Sequence, residues 1–123
     1  MPKKILIIDD EPKIVEICRD YLKAAFFDTV TANDGPSALA AVDRENPDLI
    51  ILDLMLPGMD GLDVCREVRR EHNTPIIMLT AINQVTNSRF SLNEGQSFLP
   101  GVNDFMTKPV KIDELLEKVK KQI

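Results

Sequence analysis

Positive charge is in short supply in this chain. Fifteen Lys and Arg face 20 Asp and Glu, for a net charge of −5. A domain of that sign does not hold nucleic acid by its own field, because phosphate binding needs clustered Lys and Arg. Long apolar runs are also missing. Those present, such as Ile5 to Ile8 and Leu49 to Leu52, are far too short to span a bilayer. Met1-Pro2-Lys3-Lys4 leads almost directly into the first of them, so no secretory h-region is expected. Cysteine is sparse. Cys18 and Cys65 fall inside helical patterns without a partner motif, as expected of buried, reduced thiols in a cytoplasmic protein. The single histidine, His72, lies at a predicted helix end and reads as a surface residue rather than a phosphohistidine or a ligand. No repeat, low-complexity tract or linker appears. With 123 residues, 44% of them hydrophobic and 28% charged, the expectation is one globular domain over 1–123.

What is present alternates between two periods. Lys4 to Ile8 is β-branched and continuous, as in a strand buried on both faces. It ends on Asp9-Asp10-Glu11-Pro12, where Pro12 suits a first helical turn and the acids suit a helix dipole. Ile14, Ile17, Cys18, Tyr21 and Leu22 then recur at helical spacing. Phe27 to Ala32 reads as a second strand, at an edge. Asn33-Asp34-Gly35-Pro36 turns into a helix that Asn46-Pro47 stops. Leu49 to Leu52 is a third strand ending on Asp53, followed by a loop punctuated by Pro57, Gly58 and Gly61. A third helix carries Leu62, Cys65 and Val68. Ile76 to Leu79 is a fourth strand ending on Thr80, and Val102 to Met106 a fifth, ending near Thr107-Lys108-Pro109. Ile112, Leu115, Leu116 and Val119 mark a last amphipathic helix. Such alternation requires an α/β fold: a parallel sheet with helices on both faces and right-handed crossovers.

Four strands therefore end on polar groups: Asp9-Asp10, Asp53, Thr80 and Thr107-Lys108. In an open parallel sheet, ligands bind outside the carboxyl ends of the strands, so these residues should converge at one edge. Three carboxylates there would repel, and at least one would protonate unless a cation joined them. An oxygen-only donor set without His or Cys favours Mg2+. Lys108 adds a compact charge that can reach a phosphate oxygen, and Thr80 adds a hydroxyl. Together they make a phosphoryl-transfer site with a carboxylate nucleophile. Taken singly, each piece has a plainer meaning: a helix cap, a turn residue, a strand terminator. Their joint occurrence in order on alternating strands favours the site.

The chain resembles a response-regulator receiver domain of bacterial two-component signalling. The resemblance rests on Ile7-Ile8-Asp9-Asp10-Glu11, the run Asp53-Leu54-Met55-Leu56-Pro57-Gly58-Met59-Asp60-Gly61, Leu79-Thr80-Ala81 and Lys108-Pro109. It implies a flavodoxin-like, doubly wound three-layer sandwich of five strands in the order 2-1-3-4-5. It implies Asp53 as phosphoacceptor and Asp10, Asp53 and the Met55 carbonyl as direct Mg2+ ligands, with Asp9 acting through a metal-bound water. Thr80 and Lys108 would bind the phosphoryl oxygens, and Phe105 would occupy an aromatic switch position where Tyr is common. A cis Lys108-Pro109 bond is also implied.

The implied partner is a sensor histidine kinase or phosphotransfer protein, with a homodimer as an option, no direct nucleic-acid contact by this domain and no membrane. The receiver would catalyse only its own phosphorylation and dephosphorylation. The Asp53–Gly61 loop resembles that of receivers joined to winged-helix DNA-binding domains, so transcription control is the expected output. A hydrolase using an aspartyl-phosphate would need an acid two residues beyond the nucleophile, where Met55 stands. A phosphate-independent interaction module would be favoured by loss of an acid, the threonine or the lysine, and none is lost. A flavin role lacks a Ser/Thr/Gly-rich loop after the first strand. Met55, Met59, Lys118, Lys120 and Lys121 need no role beyond packing and helix-end charge. Ile82 to Phe90 is poor helix material, so residues 82–101 are expected to be mobile and to depart from a regular helix. The plainer reading is a longer loop beside a shortened fourth helix, the sharper one a reshaped partner surface with Phe90, Phe98 and Leu99 as contacts if exposed.

Overall fold

A computed structural model describes residues 2–81 and 101–123. Five strands form one parallel sheet: β1 (Lys4–Ile8), β2 (Asp28–Ala32), β3 (Leu49–Asp53), β4 (Ile76–Thr80) and β5 (Asp104–Thr107). Their order is β2-β1-β3-β4-β5, as the resemblance implies. Four described helices accompany them: α1 (Pro12–Ala24), α2 (Gly35–Glu45), α3 (Gly61–Arg69) and α4 (Ile112–Gln122). None of the described helices is long and apolar enough to cross a membrane. The expectations for 82–100 lie outside the described residues.

The continuous apolar strands are buried on both faces because helices cover both. Leu6, Ile8, Ile50, Leu52, Ile76 and Met78 pack with residues of α2 and α3, among them Ala41, Val42, Val64 and Val68. The alternate residues Ile5, Ile7, Leu49, Ile51, Ile77 and Leu79 pack with Cys18, Leu22, Leu115 and Val119 of α1 and α4. This is the period-2 alternation of a strand, with both sets apolar. β2 is less buried, as its edge position demands. Cys18 and Cys65 are buried and unbridged, as expected. Burial pushes the Cys18 thiol up to about 12, and nearby Asp9 adds to the effect.

Helix ends follow their capping chemistry. The Asp34 side chain accepts from Ser37 N at the start of α2, and Asn46 ends that helix in the left-handed region at φ 47°. Asp60 caps α3 by accepting from Asp63 N. β5 begins at Asp104, two residues later than the hydrophobic pattern suggests. Ahead of it, Asn103 pairs with Ile76 through both backbone and side chain: its N–H donates to Ile76 O at 2.9 Å, and its Oδ1 accepts from Ile76 N at 2.9 Å.

Candidate functional site at the carboxyl ends of the strands

Parallel pairing brings the strand ends to one height. Ile8 is in register with both Ala32 and Leu52, Asp53 with Leu79, and Thr80 with Thr107. The ladder then runs one residue past three of the strands: Asp9 N donates to Ala32 O (3.1 Å), Leu54 N to Leu79 O (2.9 Å) and Lys108 N to Thr80 O (2.8 Å). The backbone beneath the polar residues is thus held as firmly as the sheet itself. The Lys108-Pro109 peptide bond is cis, as the resemblance implies.

The loop after β3 is drawn in by a close backbone approach. Gly61 N donates to Leu54 O at 2.7 Å, and a Cβ at Gly61 would sit 2.5 Å from Asp53 O. Only glycine permits α3 to start so near the Asp53 backbone. Gly58, at φ 78°, supplies the turn before it.

Asp9, Asp10 and Asp53 each offer a carboxylate oxygen within 4.8 Å of the others. Asp9 is wholly buried and Asp53 is 3% exposed, whereas Asp10 faces solvent. Lys108 Nζ reaches into this cluster: it lies 2.9 Å from Glu11 Oε1, 3.1 Å from Asp9 Oδ2 and 3.5 Å from Asp53 Oδ2. Its contact with Asp9 is one of charge, since Asp9 Oδ2 is left without a hydrogen-bond partner. Asp9 Oδ1 accepts from Glu11 N at 2.9 Å, and Asp53 Oδ1 from Met55 N at 3.3 Å. Thr80 is buried and its hydroxyl donates to Ala81 O at 3.0 Å. The side chains of Asp9, Asp10, Asp53 and Lys108 converge, and Thr80 ends the strand next to Asp53.

The electrostatics are those of an unfinished site. Burial, and then the charge of Asp9, push the Asp53 carboxyl up to about 7, against the opposing pull of Lys108 and the Met55 N–H. Burial also raises Asp9, partly offset by the Glu11 N–H and Lys108. Burial works against the Lys108 charge. The hydrogen bond to Glu11 and the charges of Asp53 and Asp9 outweigh it and hold the ammonium above its ordinary range. Two buried acids and an exposed one, with an orphan oxygen among them, form an oxygen-only donor set that suits a hard dication such as Mg2+.

Sequence reasoning gave Glu11 no part beyond helix-dipole charge. Its side chain makes no capping bond and instead is the nearest carboxylate to Lys108. Its position beside Asp9-Asp10 was the available signal, but its partner is 97 residues away. Phe105 is half-buried and packs against the α2/α3 core. His72 is not simply on the surface: it is half-buried, with Nε2 3.1 Å from Asp43 Oδ1 at the opposite rim.

A five-stranded doubly wound sheet with buried acids at its carboxyl edge is the architecture of receiver domains. The family model for the response regulator receiver domain matches residues 5–120, and the chain belongs to that family. It is a receiver domain of two-component signalling, a switch module. The chain is 40% identical over 123 residues to the DNA-binding response regulator MtrA of Mycolicibacterium smegmatis, covering 100% of this chain and 51% of that protein. It thus spans about half the length of that curated relative. Among solved structures it resembles the response regulator TrrA of Thermotoga maritima in complex with Mg2+-BeF, at 35% identity and TM-score 0.83, covering 98% of this chain and 99% of that one. It also resembles a CheY-like receiver domain protein of Methanospirillum hungatei, at 29% identity and TM-score 0.84, covering 99% and 94%.

Proposed function

We propose that Asp53 accepts a phosphoryl group from a phosphohistidine of a partner sensor kinase or phosphotransfer protein, and that the domain, over 1–123, switches an output by this means. The observation that carries the reading is the Asp53 carboxylate itself: buried, 3.5 Å from Lys108 Nζ and gathered with two other carboxylates. An Asp53 oxygen attacks phosphorus. One O–P bond forms, one imidazole N–P bond breaks, and the leaving imidazole takes its proton from solvent.

Asp10, Asp53 and the Met55 carbonyl would hold Mg2+ directly, with Asp9 acting through a water. When bound, the ion supplies charge neutralisation on the phosphoryl oxygens. Lys108 and Thr80 bind the remaining oxygens; in dephosphorylation water attacks phosphorus, the Asp53 O–P bond breaks, and inorganic phosphate leaves with the carboxylate restored. The new dianion at Asp53 draws Lys108 from Glu11 and Thr80 from the Ala81 carbonyl, and the surface around β4, β5 and α4 responds, with Phe105 as its aromatic member. MtrA is described as DNA-binding; here the expected output is likewise transcription control, by an output domain or a partner. The receiver makes no nucleic-acid contact of its own, given its net charge of −5. It acts in the cytoplasm, where a homodimer is one route to output.

Intact-mass measurement after treatment with a small-molecule phosphodonor tests this reading. One phosphoryl adduct is expected with Mg2+, and none with a chelator or in Asp53→Asn. Equal labelling of Asp53→Asn, or full labelling without divalent metal, would overturn it.

A further inference from the structure

Away from the acidic cluster, at the opposite rim of the sheet, a second group of metal-ligating side chains converges. Asp43 lies near the end of α2, and Glu71 and His72 follow α3. Each offers one donor atom within 4.8 Å of the other two. We propose that Asp43, Glu71 and His72 form a second metal site, for a borderline transition-metal dication of the Zn2+ class, bridging α2 and the end of α3.

The imidazole is already placed. His72 N donates to Val68 O at 2.9 Å, and His72 O accepts from Arg69 Nη1 at 3.2 Å, so the backbone is tied on both sides. The side chain is 23% exposed. Its Nε2 stands 3.1 Å from Asp43 Oδ1. Two ligands on a tetrahedral zinc with bonds of about 2.1 Å lie about 3.4 Å apart, so this pair is near the required edge as it stands. Glu71 and Asp43 are exposed, and their side chains can close the remaining distance without disturbing the core.

A simple His–Asp pair would account for two of the three groups. It does not account for the gathering of a second carboxylate, which places two negative charges beside the imidazole. A dication cancels that charge. The same three residues line a cleft of about 270 Å3 between α2 and α3, with Leu39, Val42 and Val68 among its apolar walls. This leaves space for the ion and its remaining water ligand. The donor set separates this site from the acidic one. An imidazole nitrogen with two carboxylates favours Zn2+, Ni2+ or Cu2+ over Mg2+.

The test is a calorimetric titration of the untagged chain with ZnCl2 in saturating MgCl2, which occupies the acidic cluster. His72 is the only histidine in the chain, so its imidazole NMR resonances report on the site without ambiguity. One equivalent of Zn2+ should bind and shift those resonances in step. His72→Gln should weaken binding at least tenfold, and Glu71→Gln, at an exposed position, severalfold. Asp53→Asn should leave Zn2+ binding unchanged. Absence of Zn2+ binding in Mg2+, uptake undiminished in His72→Gln and Glu71→Gln, or loss of uptake in Asp53→Asn would each overturn the proposal, the last by assigning the ion to the other rim.

Discussion

At the amino-terminal rim of the sheet, charges and polar groups meet partners. Lys4 Nζ lies 3.1 Å from Glu45 Oε1, and Lys4 N donates to Asp48 Oδ2 at 2.8 Å. Lys118 Nζ lies 3.0 Å from Asp104 Oδ1. The Arg69 guanidinium donates to Gly101 O, Asn103 Oδ1 and His72 O at 2.9–3.2 Å. At the carboxyl-terminal rim one lysine serves three carboxylates, two of them buried, and a buried oxygen has no hydrogen-bond partner. These ion pairs and hydrogen bonds at the first rim hold strands to loops. The second keeps an uncompensated charge in a fixed place, which is what a site awaiting a dication and a phosphoryl group requires. Buried charge without full pairing costs stability, so its presence at this rim points to function.

The sharpest break between the rims comes from Asp53→Asn. Phosphorylation should vanish in the mass assay. In chelator, the variant should nonetheless unfold at higher denaturant than the parent, by on the order of 1 kcal/mol, because a buried like charge is removed. A destabilised variant would show that the rim is satisfied after all.

Arg69→Ala addresses the first rim. Losing the fork to Gly101, Asn103 and His72 should cost about 1–2 kcal/mol in denaturant unfolding, with the extent of phosphorylation unchanged. Lost phosphorylation in a folded variant would show that the two rims are not independent.

Varying pH separates the rims without mutation. Asp53 has a folded pKa of about 7, above its unfolded 3.8, and Asp9 shifts in the same direction. Between these values the native state keeps a proton that the unfolded chain releases. Metal-free stability should therefore fall as pH rises from about 4 to about 7 and level off above. Mg2+ should flatten the decline by stabilising the ionised carboxylates. Denaturant midpoints at pH 5 and pH 8, with and without Mg2+, measure this. A metal-free midpoint that rises with pH would contradict it.

The smallest effect is expected from Glu11→Gln. Glu11 is exposed, so stability should change by less than about 0.5 kcal/mol. Lys108 loses its nearest carboxylate, and phosphorylation by a small-molecule donor should become faster by a few fold. A slower reaction in stopped-flow measurements would mean that Glu11 positions Lys108 for the transfer rather than holding it back.

Much of this molecule was legible in its sequence. Unbroken β-branched-rich apolar runs such as Leu49 to Leu52 fit strands covered on both faces, and their alternation with helical stripes requires a parallel sheet. Asp9, Asp53 and Thr80 were recognisable because each follows such a run directly, Lys108 because it stands just past the last strand before Pro109, and a parallel sheet brings its carboxyl ends together. The edge of β5 was less legible, since its start is set by Asn103 pairing with Ile76 rather than by hydropathy.

The sequence by itself determined the layers, the strand order through its family motifs, and the rim at which chemistry is gathered, because these depend on periodicity and on which residue ends each strand. Only the tertiary structure decided how the charges are shared. Glu11 turned from helix-dipole charge to the nearest partner of Lys108, 97 positions on, and His72 from a surface residue to the neighbour of Asp43, 29 positions back. Burial of Asp53 on the finished sheet then moved its carboxyl to about 7. Distance and dielectric are properties of the packed chain, and no local run of residues contains them.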